Sequence, residues 1–222
     1  MGMYTNPTNR GGVGRLFKAF GVLTVASLLA AVGWRWASRH HRLPCPSQLA
    51  WLVDDRLLGP LNLTRTELDR LGLRPGMRVL EVGPGPGRLL VPAARRVLPG
   101  GEAVGLELQP AMARRLEARA ARENVTNVAV VVGDATERHC EPESYDLVYM
   151  VTVLGEIVDR QAALKRAYEV LRPGGVLSVT ETFPDPHYQT RATVLGLAHA
   201  AGFRLAQVCG RWYHYTASFV KA

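Results

Sequence analysis

Alternating glycines follow a short apolar segment near the middle of the sequence. Residues 79–87 read Val-Leu-Glu-Val-Gly-Pro-Gly-Pro-Gly. Because glycine has no Cβ, a loop with Gly83, Gly85 and Gly87 lets the backbone lie close to a ligand. Glu81 stands inside the apolar strand, where a carboxylate is expected only if it faces a polar ligand or amide groups. This pattern predicts a binding loop for a nucleoside cofactor rather than a purely structural turn.

The glycine spacing separates two classes of cofactor. The dinucleotide fingerprint is Gly-x-Gly-x-x-Gly, and its third glycine would fall on Arg88 or Leu90 here. The observed Glu-x-Gly-x-Gly-x-Gly resembles the first motif of the class I S-adenosylmethionine-dependent methyltransferases. The resemblance covers about residues 46–222 and implies S-adenosylmethionine as the cofactor. An NAD(P)-binding oxidoreductase is the alternative, but none of the seven tyrosines has lysine four residues later, as the short-chain type requires.

Other cofactor-binding residues are predicted at the ends of later strands, because ligands of doubly wound sheets lie across the carboxyl ends of the strands. Glu107 ends the second strand, where an acid can accept both ribose hydroxyls. The resemblance implies that Asp134, after the third strand, binds the adenine amino group. Met150 and Thr152, at the end of the fourth strand, would line the methionine side. The predicted cofactor-binding residues are Glu81, Gly83, Gly85, Gly87, Glu107, Leu108, Asp134, Ala135, Met150 and Thr152.

The sequence identifies catalytic residues less directly, because methyl transfer from a sulfonium ion can be accelerated by positioning alone. A base is useful if the acceptor atom is a hydroxyl oxygen or an acidic carbon. Glu156 and His187 are the predicted catalytic candidates, and Glu181, Asp185 and Tyr188 occupy the same loops. The alternative roles are structural, with Glu156 capping a helix and His187 solvated in its loop.

Apolar strands and amphipathic helices alternate along the domain. Strands are predicted at residues 78–82, 103–107, 128–132, 146–151 and 176–182, and helices at 87–97, 110–123, 160–171 and 189–201. Arg172-Pro-Gly-Gly175 is predicted to form the turn into the fifth strand. A terminal hairpin follows, with its turn at Gly210-Arg211. The predicted fold is therefore α/β, with a doubly wound, Rossmann-like, mostly parallel seven-stranded sheet and an antiparallel C-terminal hairpin.

The positive charge of the chain is concentrated at its N-terminus. The formal net charge is +8, and residues 1–43 contain six basic side chains and no acidic one. The remaining residues hold 21 basic and 19 acidic side chains, so no nucleic-acid partner is expected. Three distant cysteines and a histidine pair in the basic linker predict neither a disulfide framework nor a metal site.

An apolar run divides the chain into two predicted regions. Lys18 is the one charged residue among residues 16–34, and 19 helical residues extend about 28 Å, close to a bilayer core of about 30 Å. We therefore expect a basic N-terminal segment at 1–43 with a transmembrane helix, and a methyltransferase domain at 44–222. An interfacial helix and a cleaved signal peptide are the alternatives. Because the cofactor is made in the cytoplasm, the expected location is membrane-associated, with the catalytic domain cytoplasmic.

The domain is too short to include a large module for binding a macromolecule. We therefore expect a small acceptor, apolar or partitioned into the membrane, such as a lipid or a quinone precursor. An amphipathic helix predicted at residues 47–58 and the loops after the fourth and fifth strands would hold it. The alternative to an active methyltransferase is a catalytically silent, membrane-tethered scaffold that has kept the fold.

Overall fold

The computed structural model of the 222-residue chain describes Gly33, residues 63–183 and residues 185–222. Apart from Gly33, the helices predicted at residues 16–34 and 47–58 lie outside the described residues. None of the helices in the described part of the chain has the length and apolar character that crossing a bilayer requires.

Helices and strands alternate along the described residues, as the hydrophobic pattern predicts. The helices are α1 (Leu63–Arg70), α2 (Leu90–Arg96), α3 (Pro110–Arg122), α4 (Arg160–Val170) and α5 (Arg191–Ala200). The strands are β1 (Arg78–Val82), β2 (Glu102–Glu107), β3 (Val128–Val132), β4 (Tyr145–Val151), β5 (Leu171–Thr182), β6 (Phe203–Arg211) and β7 (His214–Lys221).

The strands of the described chain form one seven-stranded sheet in the order β3-β2-β1-β4-β5-β7-β6. Strands β1 to β5 pair in parallel, and β7 lies antiparallel between β5 and β6. Parallel neighbours need crossover connections, which α2, α3 and α4 supply, whereas β6 and β7 need only a tight turn. The predicted doubly wound sheet with an antiparallel C-terminal hairpin is confirmed.

Both faces of the central strands are buried. Leu80, Val148 and Leu177 belong to a hydrophobic cluster that includes residues of α4 and α5. Val79 and Tyr149 belong to a second cluster that includes residues of α2 and α3. Successive side chains of a strand point to opposite faces, so helices on both sides require the nearly continuous apolar strands seen in the sequence.

Residues 172–175 were predicted to form a turn that precedes the fifth strand. This prediction is wrong about where the strand begins, because these residues lie within β5. The strand begins at Leu171, which pairs with Tyr145, and the next pair joins Val176 to Leu147. One residue of β4, Asp146, therefore lies opposite four residues of β5, and Arg172–Gly175 forms a bulge. A bulge keeps local turn geometry without ending the strand, which a sequence signal for a turn does not distinguish.

The turn of the C-terminal hairpin lies two residues later than predicted. Gly210 pairs with Tyr215 and Arg211 pairs with His214, so both predicted turn residues belong to β6. The connection is formed instead by Trp212 and Tyr213. This shift places two large aromatic side chains at the tip of the hairpin, where they are 64% and 42% exposed.

Candidate active site

The carboxyl ends of the parallel strands meet along one side of the sheet, called here the carboxyl edge. Val82 at the end of β1 lies beside Leu106 of β2 and Met150 of β4. Glu107, the last residue of β2, is paired with Val132 of β3. The segments that follow these four strands are therefore neighbours, as binding at the carboxyl ends of strands requires.

The glycine loop, Gly83–Gly87, leaves β1 with a backbone that L side chains rarely adopt. Its three glycines all have positive φ angles. A Cβ on Gly83 would lie 2.7 Å from the side chain of Val153, and one on Gly87 would overlap Leu116. A Cβ on Gly85 would meet nothing within 4 Å. The outer two glycines therefore fit the loop to the protein, while Gly85 leaves room for a ligand at the loop surface.

Glu107 connects the glycine loop to the end of β2. One carboxylate oxygen accepts the backbone N–H of Gly85 at 2.9 Å, and the other accepts that of Gln109 at 2.9 Å. Burial raises the pKa of Glu107, and these backbone hydrogen bonds oppose the rise. Each carboxylate oxygen can accept a further hydrogen bond. The predicted contact with ribose stays a prediction, but the side chain also holds the loop, which the sequence did not indicate.

Glu81 is paired within the sheet. The hydroxyl of Tyr149, on the adjacent β4, donates to a Glu81 carboxyl oxygen at 2.9 Å. Both residues are buried, and burial raises the pKa of Glu81 to about 8. The carboxyl group is therefore mostly protonated at neutral pH, unless a cationic group of a ligand near it lowers its pKa.

Asp134 is held in an ionised form beyond β3. The backbone N–H of Thr136 donates to Oδ1 at 2.8 Å, and the hydroxyl of the same residue donates at 2.7 Å. These hydrogen bonds lower the pKa of Asp134. They occupy one carboxylate oxygen, and the other accepts no hydrogen bond among the described residues. Ala135 is half-buried and Leu108 is 54% exposed, so both can contact a flat ring.

Two residues near the end of β4, Met150 and Thr152, were predicted to bind the cofactor, and they lie in different environments. Met150 is 1% exposed and belongs to the same hydrophobic cluster as Leu80, so its side chain lies in the core. Thr152 has a φ angle of 54°, which is uncommon for a residue with a branched Cβ. Its N–H donates to Thr180 at 2.9 Å, which holds this backbone in place. Strained backbone of this kind is found at many functional sites.

Known proteins share both the sequence pattern and this fold. Residues 79–175 match the family described as a methyltransferase domain. Residues 79–175 therefore carry a methyltransferase domain. The glycine loop and the residues that follow β2, β3 and β4 all lie within the matched segment. The match therefore favours the methyltransferase interpretation over the nicotinamide one.

Two curated relatives and one solved structure illustrate the range of similarity. Nocamycin O-methyltransferase of Saccharothrix syringae is 35% identical over 144 residues, which cover 61% of this chain and 51% of that protein. A ubiquinone/menaquinone biosynthesis C-methyltransferase of Idiomarina loihiensis is 33% identical over 119 residues, 53% of this chain and 47% of that protein. The chain thus spans about half the length of these curated relatives.

The structural match covers more of the domain. A SAM-dependent methyltransferase from Aquifex aeolicus has a TM-score of 0.75 at 20% identity, covering 81% of this chain and all of that chain. At this identity the likeness concerns the fold. The matched part of the chain is longer than residues 79–175.

The loops after β4 and β5 are packed against each other. A Cβ on Gly155 would overlap the backbone oxygen of His187. The N–H of His187 donates to Asp185 at 2.7 Å, and its backbone oxygen accepts from Gln189 at 2.6 Å. His187 is 7% exposed, so it is not the solvated loop histidine of the alternative interpretation, whereas Glu156 is half-buried. Their catalytic roles stay predictions.

Glu181, near the end of β5, is hydrogen-bonded to the loop that follows that strand. It is 1% exposed, and one carboxyl oxygen accepts the N–H of Gln189 at 3.1 Å. Burial raises the pKa of Glu181 to about 8. At neutral pH the group is therefore mostly protonated, which makes it a poor proton acceptor.

Exposed aromatic rings flank the carboxyl edge beside these loops. The aromatic cluster consists of Phe183, Tyr188, Trp212 and Tyr213. Ring centroids of Phe183 lie 5.7 Å from Trp212 and 6.2 Å from Tyr188, and Trp212 lies 5.6 Å from Tyr213. Sequence analysis missed this cluster because it placed the hairpin turn at Gly210-Arg211. Two consecutive aromatic residues between alternating strands were the available signal.

The open space at Gly85 gives a test of the cofactor site. Gly85→Arg is expected to fold and to lose detectable S-adenosylmethionine binding in calorimetry, because its side chain occupies the space beside the loop. The left-handed backbone costs about 1–2 kcal/mol for any L residue. Gly76→Arg is the matched control, since Gly76 also has a positive φ and open surroundings but precedes β1. Normal binding by Gly85→Arg would contradict the assignment.

Proposed function

We propose that the chain transfers a methyl group from S-adenosylmethionine to a small acceptor that is apolar or partitioned into a membrane. The proposal is based mainly on one observation, that the glycine loop and the aromatic cluster lie at the same carboxyl edge of the sheet. The glycine loop lies on one part of this edge and the exposed aromatic cluster on another. A polar cofactor and an apolar acceptor would thus meet above β4 and β5.

The residues at the cofactor end fit S-adenosylmethionine. Gly85 leaves open space at the loop surface, and Glu107 has acceptor capacity for ribose hydroxyls. Asp134 is ionised and suited to accept from the adenine amino group, between Leu108 and Ala135. The cofactor supplies a methyl group on a positively charged sulfur. The loop amides and strand-end acids of the chain fix its position, and positioning of this kind supplies much of the acceleration in a displacement reaction.

The residues at the acceptor end favour an apolar ring or chain. Phe183, Trp212 and Tyr213 are each more than 40% exposed. Large aromatic side chains contribute most to stability and binding when they are buried, so these rings suit an apolar partner that would cover them. Their rings are held by each other and by the hydrogen bond from the Tyr188 hydroxyl to the backbone oxygen of Trp212. One relative is named for ubiquinone/menaquinone biosynthesis, and quinone rings belong to this class of acceptor. Glu156 and His187 remain candidates for a base.

The N-terminal segment supports a membrane location in this proposal. Its apolar run at residues 16–34 and its six basic side chains suit a bilayer with anionic headgroups. The catalytic domain would lie on the cytoplasmic side, where the cofactor is made.

A fractionation experiment tests the membrane anchor. The full chain is expected to resist carbonate extraction from membranes, and a Leu28→Arg, Leu29→Arg double variant is expected to be released. A matched Leu98→Arg variant, altered at an exposed site outside the segment, controls for added charge. Equal extraction of all three proteins would exclude a spanning anchor.

The acceptor class is tested by following the methyl group. The full chain is incubated with methyl-labelled S-adenosylmethionine and, separately, with lipid, soluble-metabolite, protein and nucleic-acid fractions. Label is expected in the lipid fraction, because the aromatic cluster favours apolar acceptors. Gly85→Arg serves as the inactive control. Label found only in protein or nucleic acid would contradict the proposed acceptor.

A further inference from the structure

His214 lies at the carboxyl edge, outside every set of residues predicted from the sequence. It begins β7 and pairs with Thr182 at the end of β5 and with Arg211 at the end of β6. The imidazole Nδ1 lies 2.9 Å from the hydroxyl of Thr182, which fixes the ring. Its Nε2 is buried and has no hydrogen-bond partner among the described residues.

The neighbouring polar groups of the described residues are hydrogen-bonded to each other and not to Nε2 of His214. On the same face of the sheet the hydroxyls of Thr180 and Thr216 are 2.8 Å apart, and Arg70 donates to Thr216 at 3.4 Å. These polar groups satisfy each other between α1 and the sheet. A buried polar atom without a partner carries a free-energy cost, and such atoms in native proteins are often functional. Nε2 is therefore suited to an incoming donor.

The charges around the ring keep it neutral. Burial lowers the pKa of His214, and the positive charges of Arg70 on α1 and Arg88 after the glycine loop lower it further. Arg88 is itself paired with Glu67, and the exposed Arg211 lies opposite on β6. Either partner can donate in the contact between Nδ1 and Thr182, depending on the tautomer. In the neutral tautomer with hydrogen on Nδ1, the ring donates to Thr182 and its lone pair is on Nε2. This is the form that accepts a proton.

We propose that His214 is the general base that takes the proton from the acceptor as it is methylated. The inference rests on the proposed methyltransferase function. For a hydroxyl acceptor, the O–H bond breaks, its proton moves to Nε2, and its electron pair forms the new O–CH3 bond. The electrons of the S–CH3 bond remain on sulfur, which becomes a neutral thioether. The imidazolium then releases its proton to solvent, and the atoms and charges balance.

Two other groups at this edge are less suited to the same role. Glu181 alternates with Thr180 and Thr182 along β5, so its side chain points to the face opposite His214, and one of its carboxyl oxygens already accepts from Gln189. It is also mostly protonated at neutral pH. His187 has its backbone tied on both sides to Asp185 and Gln189, and it has further interactions of its own.

The test compares His214→Gln and His214→Ala with a matched His199→Gln variant of the full chain. His199 is exposed near the end of α5. The probes are methyl-labelled S-adenosylmethionine with a total lipid extract, and cofactor affinity is measured separately by calorimetry. His214→Gln is expected to bind the cofactor normally and to transfer label roughly 100-fold more slowly, the usual effect of losing a general base. His199→Gln should match the unaltered chain.

Three readouts separate a base from a structural role. The unaltered chain should lose activity as pH falls through the lowered pKa of His214, because the protonated ring cannot accept a proton. NMR titration of the ring should give that same pKa, below the ordinary value of about 6.5. Added imidazole should restore part of the activity of His214→Ala.

Each remaining outcome overturns a defined statement. Full activity of His214→Gln would overturn the catalytic role of His214 but not the proposed methyltransferase function. Loss of activity of that variant over the same pH range as the unaltered chain would do the same. Loss of cofactor binding in both variants without rescue by imidazole would make His214 structural. If the unaltered chain binds S-adenosylmethionine but labels no lipid, the proposed acceptor fails and the base assignment fails with it.

Discussion

The hydrogen bond from the Gly85 amide to the Glu107 carboxylate joins two parts of the proposed cofactor site. It connects the loop after β1 to the end of β2 at a distance of 2.9 Å. The carboxylate is 5% exposed, and its raised pKa reflects the free-energy cost of burying its charge. Backbone donors offset part of that cost. The proposed site therefore depends on the buried carboxylate of Glu107. The backbone N–H groups that stabilise this carboxylate belong to the same segments that it holds in place.

The two kinds of strand pairing divide the carboxyl edge between two tasks. Parallel strands β1, β2 and β3 end in short polar segments, which suit a hydrogen-bonded cofactor. The antiparallel β6–β7 hairpin delivers its tip to the same edge, because β7 runs opposite to β5. That tip provides Trp212 and Tyr213 on the exposed side, while His214 begins the strand inside. One change of strand direction thus brings the hairpin tip and His214 to the same edge of the sheet as the glycine loop.

The sequence predicted the features that depend on local pattern. The bounds predicted for β1 and β3, residues 78–82 and 128–132, were correct. Register was less predictable. Glycine-containing segments predicted turns at residues 172–175 and at Gly210-Arg211, but both segments lie within strands. Whether such a segment forms a turn or continues a strand is decided by its pairing with β4 or β7, which is distant in sequence.

Residue roles were predicted where a motif fixes them and missed where partners are distant in sequence. Glu107 was predicted from its place at the end of a strand, and the role of Asp134 was predicted from the family resemblance. The partner of Glu81 is 68 residues away, and Thr182 is 32 residues from His214. No local pattern joins such pairs. Met150 was predicted at the site because it ends a strand, but alternation along β4 directs its side chain into the core.

The most direct test of this account is calorimetric titration of Glu107→Gln with S-adenosylmethionine, beside Glu102→Gln. Glu102 begins the same strand and forms an ion pair with Arg78, so its variant controls for loss of a carboxylate from β2. The account predicts that Glu107→Gln folds and binds the cofactor at least about tenfold more weakly, the effect of one lost hydrogen bond to a charged group. Glu102→Gln should bind normally. Unchanged affinity of Glu107→Gln would contradict the central role of this carboxylate.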